Sequence, residues 1–430
     1  MIDVARNKAI NIEEAWELLF DKYDIAQRVE DDGSYIITST EINEFKEARL
    51  MAKFDSSAQL PRVFKDAKLS ILPETRGTYR IGHYKTHEDI VYPNVRPAYV
   101  EPPALQSLDH TNLYSEASAL SFAFNSGILA AFLDADEMNY TVNGRMTSGE
   151  FDYHVTDLNS RQKHRLQVKN AQIEIDGGYE TRNEFCIVEA KNIQADELLI
   201  RQLYFPYRLW EGKINKEVVP VFMSFSNDVF HVFRYEFKNI RDYNSLTLAK
   251  YKSYTYIDET ITLTEIIEMF RNIKVIPEPR VTFPQANSFP RVMDLLSILY
   301  SRTLTFDDVT TTYGFNVRQT NYYISACKYL GLVENSVGPN GEVVYCLTKE
   351  GQRIMSMKHK SKYMAIIWRV LQRPVFNATF SEYLKQFSPV SKTEIASIMK
   401  TQGIPLNNVT TWRRSDTVRA WIDWIISQGE

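Results

Sequence analysis

Cysteine is scarce in this chain, with three among 430 residues, Cys186, Cys327 and Cys346, each inside an apolar run. Thiols so few and so scattered exclude a disulfide framework and a four-ligand zinc site, and they read as core residues. No stretch approaches the roughly 18 apolar residues that a membrane span requires. The opening MIDVARNKAINIEEAW has no apolar signal-peptide core, so we expect a cytoplasmic protein with no membrane partner. A GxxxxGK[ST] loop is also missing, which excludes a P-loop nucleotide cofactor. Of seven histidines only His83 and His87 stand at ligand spacing, in a loop-like stretch, which argues against zinc chemistry or a histidine nucleophile. Excess charge is lacking only in sum. The net charge is −4, yet from Lys358 onward eleven Lys and Arg face five Asp and Glu, a balance of +6 that leaves −10 for the rest. A basic C-terminal face is therefore expected, suited to an acidic polymer.

At 44% hydrophobic content the chain can build real cores, and its length suggests roughly two to four domains. Residues 1–100 mix an amphipathic helix, IEEAWELLFDKY, with the strand-like SYIITST, and read as a small α+β unit with a possible part in DNA recognition. The four prolines of YPNVRPAYVEPPALQ mark the boundary to residues 101–275, which begin with a long apolar helix, LYSEASALSFAFNSGILAAFLD, in which one acid, Glu116, stands out. Strand candidates follow (EFDYHV, HRLQVKN, VVPVFMSFS, VFHVFRYEF) around one helical stretch, ADELLIRQLYFPYRLW, and predict a mixed sheet flanked by helices. Residues 276–290 carry four prolines and read as a linker. Residues 291–357 run helix, helix, helix, hairpin, the order of a winged helix-turn-helix. Arg318, Gln319, Asn321 and Tyr322 fall on the outward N-terminal turns of its third helix, where side chains can reach base edges and phosphates. Residues 358–430 read as a smaller basic helical module, with Arg413 and Arg414 placed for phosphate contact.

The most informative stretch is QIEIDGGYETRNEFCIVEAKN, residues 172–192. Two apolar, β-branched runs separated by Gly177-Gly178 predict a hairpin turning at the glycines. Period-two alternation sets Glu174 and Asp176 on one face of the first strand, and Glu189 with Lys191 on one face of the second. Two carboxylates and an ammonium at one spot suit phosphodiester hydrolysis, because Mg²⁺ is held by one or two carboxylates and a lysine can touch the phosphate or the attacking water.

The arrangement Asp176 … Glu189-Ala190-Lys191 resembles the PD-(D/E)xK nuclease superfamily, with Ile175 in the place of the proline. Together with RLMAKFD, GRMTSGEFDY and RQLYFPYRLW, it is similar to type II restriction endonucleases that carry a C-terminal winged-helix module. The resemblance implies a multidomain chain of α+β and α/β class. It also implies a Mg²⁺-dependent, sequence-specific endonuclease acting on double-stranded DNA as a homodimer. Asp176, Glu189 and Lys191 are then catalytic, Asp176 and Glu189 hold the metal, and Glu116 is the helix glutamate that joins them. Glu174 and Gln202 are accessory candidates, Gln202 by approximation to a glutamine-tyrosine pattern completed by Tyr207. Two alternatives remain open from the sequence: a DNA-binding regulator with a silent nuclease-like domain, and a repair or recombination nuclease.

Overall fold

The computed structural model describes residues 10–429 apart from 112, 114, 314, 316 and 340, so Asn340 of the expected Gly-Pro-Asn-Gly turn lies outside the described residues. The chain is mixed α/β, with a seven-stranded mixed sheet and seventeen α-helices among the described residues. No helix among them is long and apolar enough to cross a membrane. The fold divides into two compact units. One comprises Met1–Pro103, Ser115–Phe225 and Val229–Tyr254, and the other Ala104–Tyr114, Ser226–Asp228 and Thr255–Glu430.

In the first unit the sheet order is Ala98–Tyr99, Leu246–Thr255, Val229–Phe237, Glu217–Ser226, Glu184–Lys191, Gln172–Glu180, Asn139–Thr147. Glu184–Lys191 lies in the interior of the sheet, parallel to Glu217–Ser226 and antiparallel to Gln172–Glu180. All its residues between the two ends are buried, which explains its near-continuous apolar run. A parallel neighbour cannot be reached by a tight turn, so the chain crosses over through the helix Ile200–Glu211. That helix and a second one, Glu116–Asn125, both pack on the two strands of the hairpin. The long apolar stretch expected as one helix is two, Glu116–Asn125 and Ile128–Phe132, because Gly127 sits at φ 78° between them.

Two strand expectations are corrected here. EFDYHV and HRLQVKN do not join the main sheet; Glu150–Thr156 and Lys163–Lys169 form their own antiparallel ribbon. Their alternating Tyr153, Val155, Leu166 and Val168 bury against Tyr204 and Phe205 of the crossover helix. The hairpin also does not turn at Gly177-Gly178. The strand runs through both glycines, opposite Val188 and Ile187, and turns at residues 181–183. The glycines serve packing instead: a Cβ on Gly177 would meet the Tyr179 ring at 2.7 Å, and one on Gly178 would meet Val142 at 3.0 Å and Phe185 at 3.1 Å.

The N-terminal part of this unit packs Ile12–Tyr23, Ile25–Asp32 and Arg62–Asp66 on a three-stranded antiparallel sheet ordered Tyr35–Thr38, Thr78–Gly82, Ser70–Pro73. Trp16, Leu19, Phe64 and Ile81, all fully buried, centre its core. An Asn11 capping box starts the first helix.

The second unit contains the helices Phe289–Ser301, Phe306–Tyr313 and Val317–Tyr329, then the strands Val333–Val337 and Val343–Leu347, with Leu304–Thr305 as a third strand on the latter. The helices Leu263–Arg271, Lys349–Met355, His359–Leu371, Pro374–Gln386, Lys392–Thr401 and Asn408–Ser427 also belong to it. The proline-rich stretch expected as an open linker is extended but packed within this unit. Phe283, Ala286 and Phe289 are buried, the Trp421 indole N–H donates to the Ala286 carbonyl at 2.7 Å, and Thr417 donates to Asn287 at 2.6 Å. Prolines keep the segment out of helix and sheet, while its spaced apolar side chains still bury.

Candidate active site

The hairpin ladder stops at the Val188–Gly177 pair. Beyond it, the backbone N–H of Ala190 finds an acceptor in a side chain, donating to Asp176 Oδ2 at 2.8 Å. This bond turns the Asp176 carboxylate toward Glu189 and Lys191. Glu189, 5% exposed, receives the Lys191 ammonium on Oε1 at 2.6 Å, and the Gln202 amide donates to the same oxygen. Lys191 Nζ also lies 3.9 Å from Glu116 Oε1 and 3.7 Å from Asp55 Oδ2. Glu116 occupies the first turn of a helix whose N-cap is Ser115, a position where a negative charge is favoured.

The structure thus brings together Asp176, Glu189, Lys191, Glu116 and Gln202, and adds Asp55, which the sequence reasoning missed. Asp55 sits in a loop 121 residues before Asp176, and no local spacing links the two; RLMAKFD was the only trace of it. Glu174 stands apart: it is exposed and pairs with Arg145 at 3.4 Å. Tyr207 packs its ring on Phe237 at 5.0 Å. In the second unit Arg318 and Asn321 are exposed, Gln319 and Tyr322 half-buried; the Arg318 guanidinium donates to the Tyr322 hydroxyl, and Asn321 donates to the Val317 carbonyl at 3.0 Å. Arg413 is exposed. Arg414 is a correction: it is buried, and its guanidinium donates to the Phe283 carbonyl, so it holds the proline-rich segment and is not presented to a phosphate. It lies on the inward face of Asn408–Ser427 with Thr411, Ser415 and Val418, a face that helical spacing hides among polar residue types.

Burial pushes the Glu189 carboxyl up to about 7 against the pull of Lys191. Asp176 and Glu116 are raised for the same reason, burial, with Lys191 again opposing. For Asp55 burial also raises, but the ammonium groups of Lys191 and Lys53 outweigh it and hold the carboxyl below its ordinary value. Burial lowers Lys191, and the carboxylates of Glu189, Asp55, Glu116 and Asp176 more than reverse this. A raised acid keeps in the folded state a proton that the unfolded chain releases, so its favourable contribution is complete below about 4.5 and is lost as the pH climbs through about 7. Without a divalent cation, the wild type should therefore lose melting temperature relative to Glu189→Gln between about pH 5 and about pH 8. A difference that stays flat across that range in thermal melts would contradict this account.

The donors suit a hard cation: carboxylate oxygens from Asp176, Glu189 and Glu116, and Gln202 Oε1, which is buried without a hydrogen-bond partner. Among the described residues no three Asp, Glu, His or Cys side chains stand as a ready ligand group, and the Lys191 ammonium takes the space among the carboxylates.

Three families match the chain. Residues 13–81, 81–255 and 291–430 match domains of unknown function, DUF6996, DUF6997 and DUF7226 respectively. No curated protein and no solved structure matches it. The second family spans the whole hairpin, Glu116 and Gln202, and the first contains Asp55.

Proposed function

We propose that the chain is a Mg²⁺-dependent endonuclease of the PD-(D/E)xK type that cuts double-stranded DNA at specific sequences. The observation that carries this reading is the meeting of Asp176, Glu189 and Lys191 where the central hairpin ladder ends, with Glu116 on the adjoining helix. Asp176, Glu189 and Glu116 would hold Mg²⁺, which, when bound, neutralises charge on the phosphate and makes a bound water more acidic. The Ala190 N–H fixes the rotamer of Asp176, and the Gln202 amide fixes Glu189. Lys191 offers an N–H to a phosphate oxygen or to the attacking water. As a P–O bond forms to that water, whose proton passes to solvent, the P–O bond to the leaving sugar oxygen breaks and that oxygen takes a proton from solvent, while Lys191 offsets the charge that builds on phosphorus-bound oxygens.

Residues 289–347 follow the order of a winged helix, and we assign it to DNA binding through exposed Arg318 and Asn321 with Gln319 and Tyr322. Exposed Arg413 adds a cation for a phosphate. One such site cuts one strand, so a double-strand break is assigned to a homodimer whose twofold axis matches a palindromic target. The test is incubation of unmodified plasmid and phage DNA with the purified chain and Mg²⁺. Discrete fragments that disappear with chelator are expected; intact DNA across varied sequences, with Mg²⁺ and with Mn²⁺, overturns the reading.

A further inference from the structure

One carboxylate at the site comes from the N-terminal part of the chain, where Lys53 Nζ lies 3.9 Å from it. Asp55 lies just past the helix Ala48–Met51, and its Oδ2 is 3.7 Å from Lys191 Nζ. Its other oxygen, Oδ1, is buried without a partner, so the carboxylate keeps acceptor capacity directed into the protein. The loop is held firmly. Glu197 accepts from the Ser57 N–H and hydroxyl, both at 2.7 Å, and from the Ser56 hydroxyl at 3.2 Å. The Phe54 carbonyl lies 3.1 Å from His87 Nε2, and the Asp55 N–H donates to Gln59 Oε1 at 2.8 Å. His87 and Glu197 belong to one two-stranded ladder, His87–Asp89 with Glu197–Leu199, which runs directly into the helix bearing Gln202. A single small structure therefore fixes Asp55 and Gln202, one against Lys191 and the other against Glu189.

We infer that Asp55 is the positioning residue of Lys191, and that the N-terminal α/β module completes the active site. This rests on the nuclease reading. The physical need is specific. Lys191 makes its shortest contact, 2.6 Å, with Glu189, which is also needed as a cation ligand. An ammonium with Glu189 as its sole partner would neutralise that ligand and stay withdrawn from substrate. Asp55 offers a second anion 3.7 Å away, anchored from outside the hairpin, that keeps the ammonium within the site when a cation takes Glu189. Glu116 lies at a similar distance but is itself a proposed cation ligand. Asp55 does not belong to that set.

The experiment compares full-length wild type with Asp55→Asn, Asp55→Glu and Glu197→Gln, the last loosening the loop without touching the site. Three quantities are measured: the single-turnover cleavage rate, DNA affinity with Ca²⁺ in place of Mg²⁺, and the rate at which Lys191 is labelled by an amine acylating reagent, followed by mass spectrometry. Asp55→Asn should cut about tenfold to hundredfold more slowly with DNA affinity unchanged. Asp55→Glu should recover part of the rate, Glu197→Gln should fall in between, and Lys191 should be labelled faster wherever cleavage is slower. Unchanged cleavage in Asp55→Asn and Glu197→Gln overturns the inference. So does a loss of DNA affinity that matches the loss of cleavage, which would make Asp55 a DNA contact or a folding residue. If the wild type does not cut any DNA, the nuclease reading falls, while the labelling rates still decide whether Asp55 holds Lys191.

Discussion

If the chain is the proposed nuclease, Glu189→Ala and Lys191→Ala are each expected to lower cleavage by about a hundredfold to a thousandfold or more, with specific binding to DNA retained. The first removes a carboxylate proposed to hold the cation, and the second the ammonium proposed to meet the phosphate, which the structure pairs at 2.6 Å. Asp176→Asn belongs with them, since an amide can still accept from the Ala190 N–H but brings no negative charge. Glu174→Gln is the control. Its carboxylate is exposed on Arg145, a type of pair worth about 0–1 kcal/mol, and cleavage should hardly change. Single-turnover rates measured beside binding in Ca²⁺ decide the matter. If Glu174→Gln is the more damaging of the two strand variants, the ligand on that strand is Glu174 and the site is misassigned. Binding lost together with cleavage would show that these variants no longer fold.

Phe289→Ala is expected to cost about 3–5 kcal/mol in the unfolding of the second unit. The ring is buried, stacked on Trp424 with centroids 3.9 Å apart and edge-on to Trp421 at 4.9 Å. Truncation leaves a cavity between two indoles that neither can fill. The same reasoning predicts that a fragment starting at residue 255 is markedly more stable to urea than one starting at residue 291. The shorter fragment loses Phe289 and also leaves the Trp421 N–H and the buried Arg414 guanidinium without their acceptors on Ala286 and Phe283. It further loses Glu278, whose carboxylate accepts from the Tyr329 hydroxyl at 2.5 Å. Equal urea midpoints for the two fragments would mean that the proline-rich segment is a passive connection after all.

Some of this protein is determined by local sequence. Alternation of apolar and polar residues places Val229–Phe237 as a strand, and helical spacing with an Asn11 cap and Glu14 places Ile12–Tyr23 as a helix, because these signals act within one or two turns of chain. The proximity of Glu189 and Lys191 is of the same kind, since residues two apart on a strand share a face. Other features were decided only when distant parts packed. Gly177-Gly178 carries a turn signal, yet both pair in the strand with Val188 and Ile187, and their missing Cβ atoms leave room for the rings of Tyr179 and Phe185. Arg414 carries the signal of a surface cation, yet it is buried because the proline-rich segment brings a carbonyl to it. Asp55, the last residue of RLMAKFD, carries no spacing that ties it to the hairpin. It reaches Lys191 through a loop tied down by Glu197 and His87, and hydrogen bonds between segments so far apart in the chain leave no period or spacing in the sequence to read.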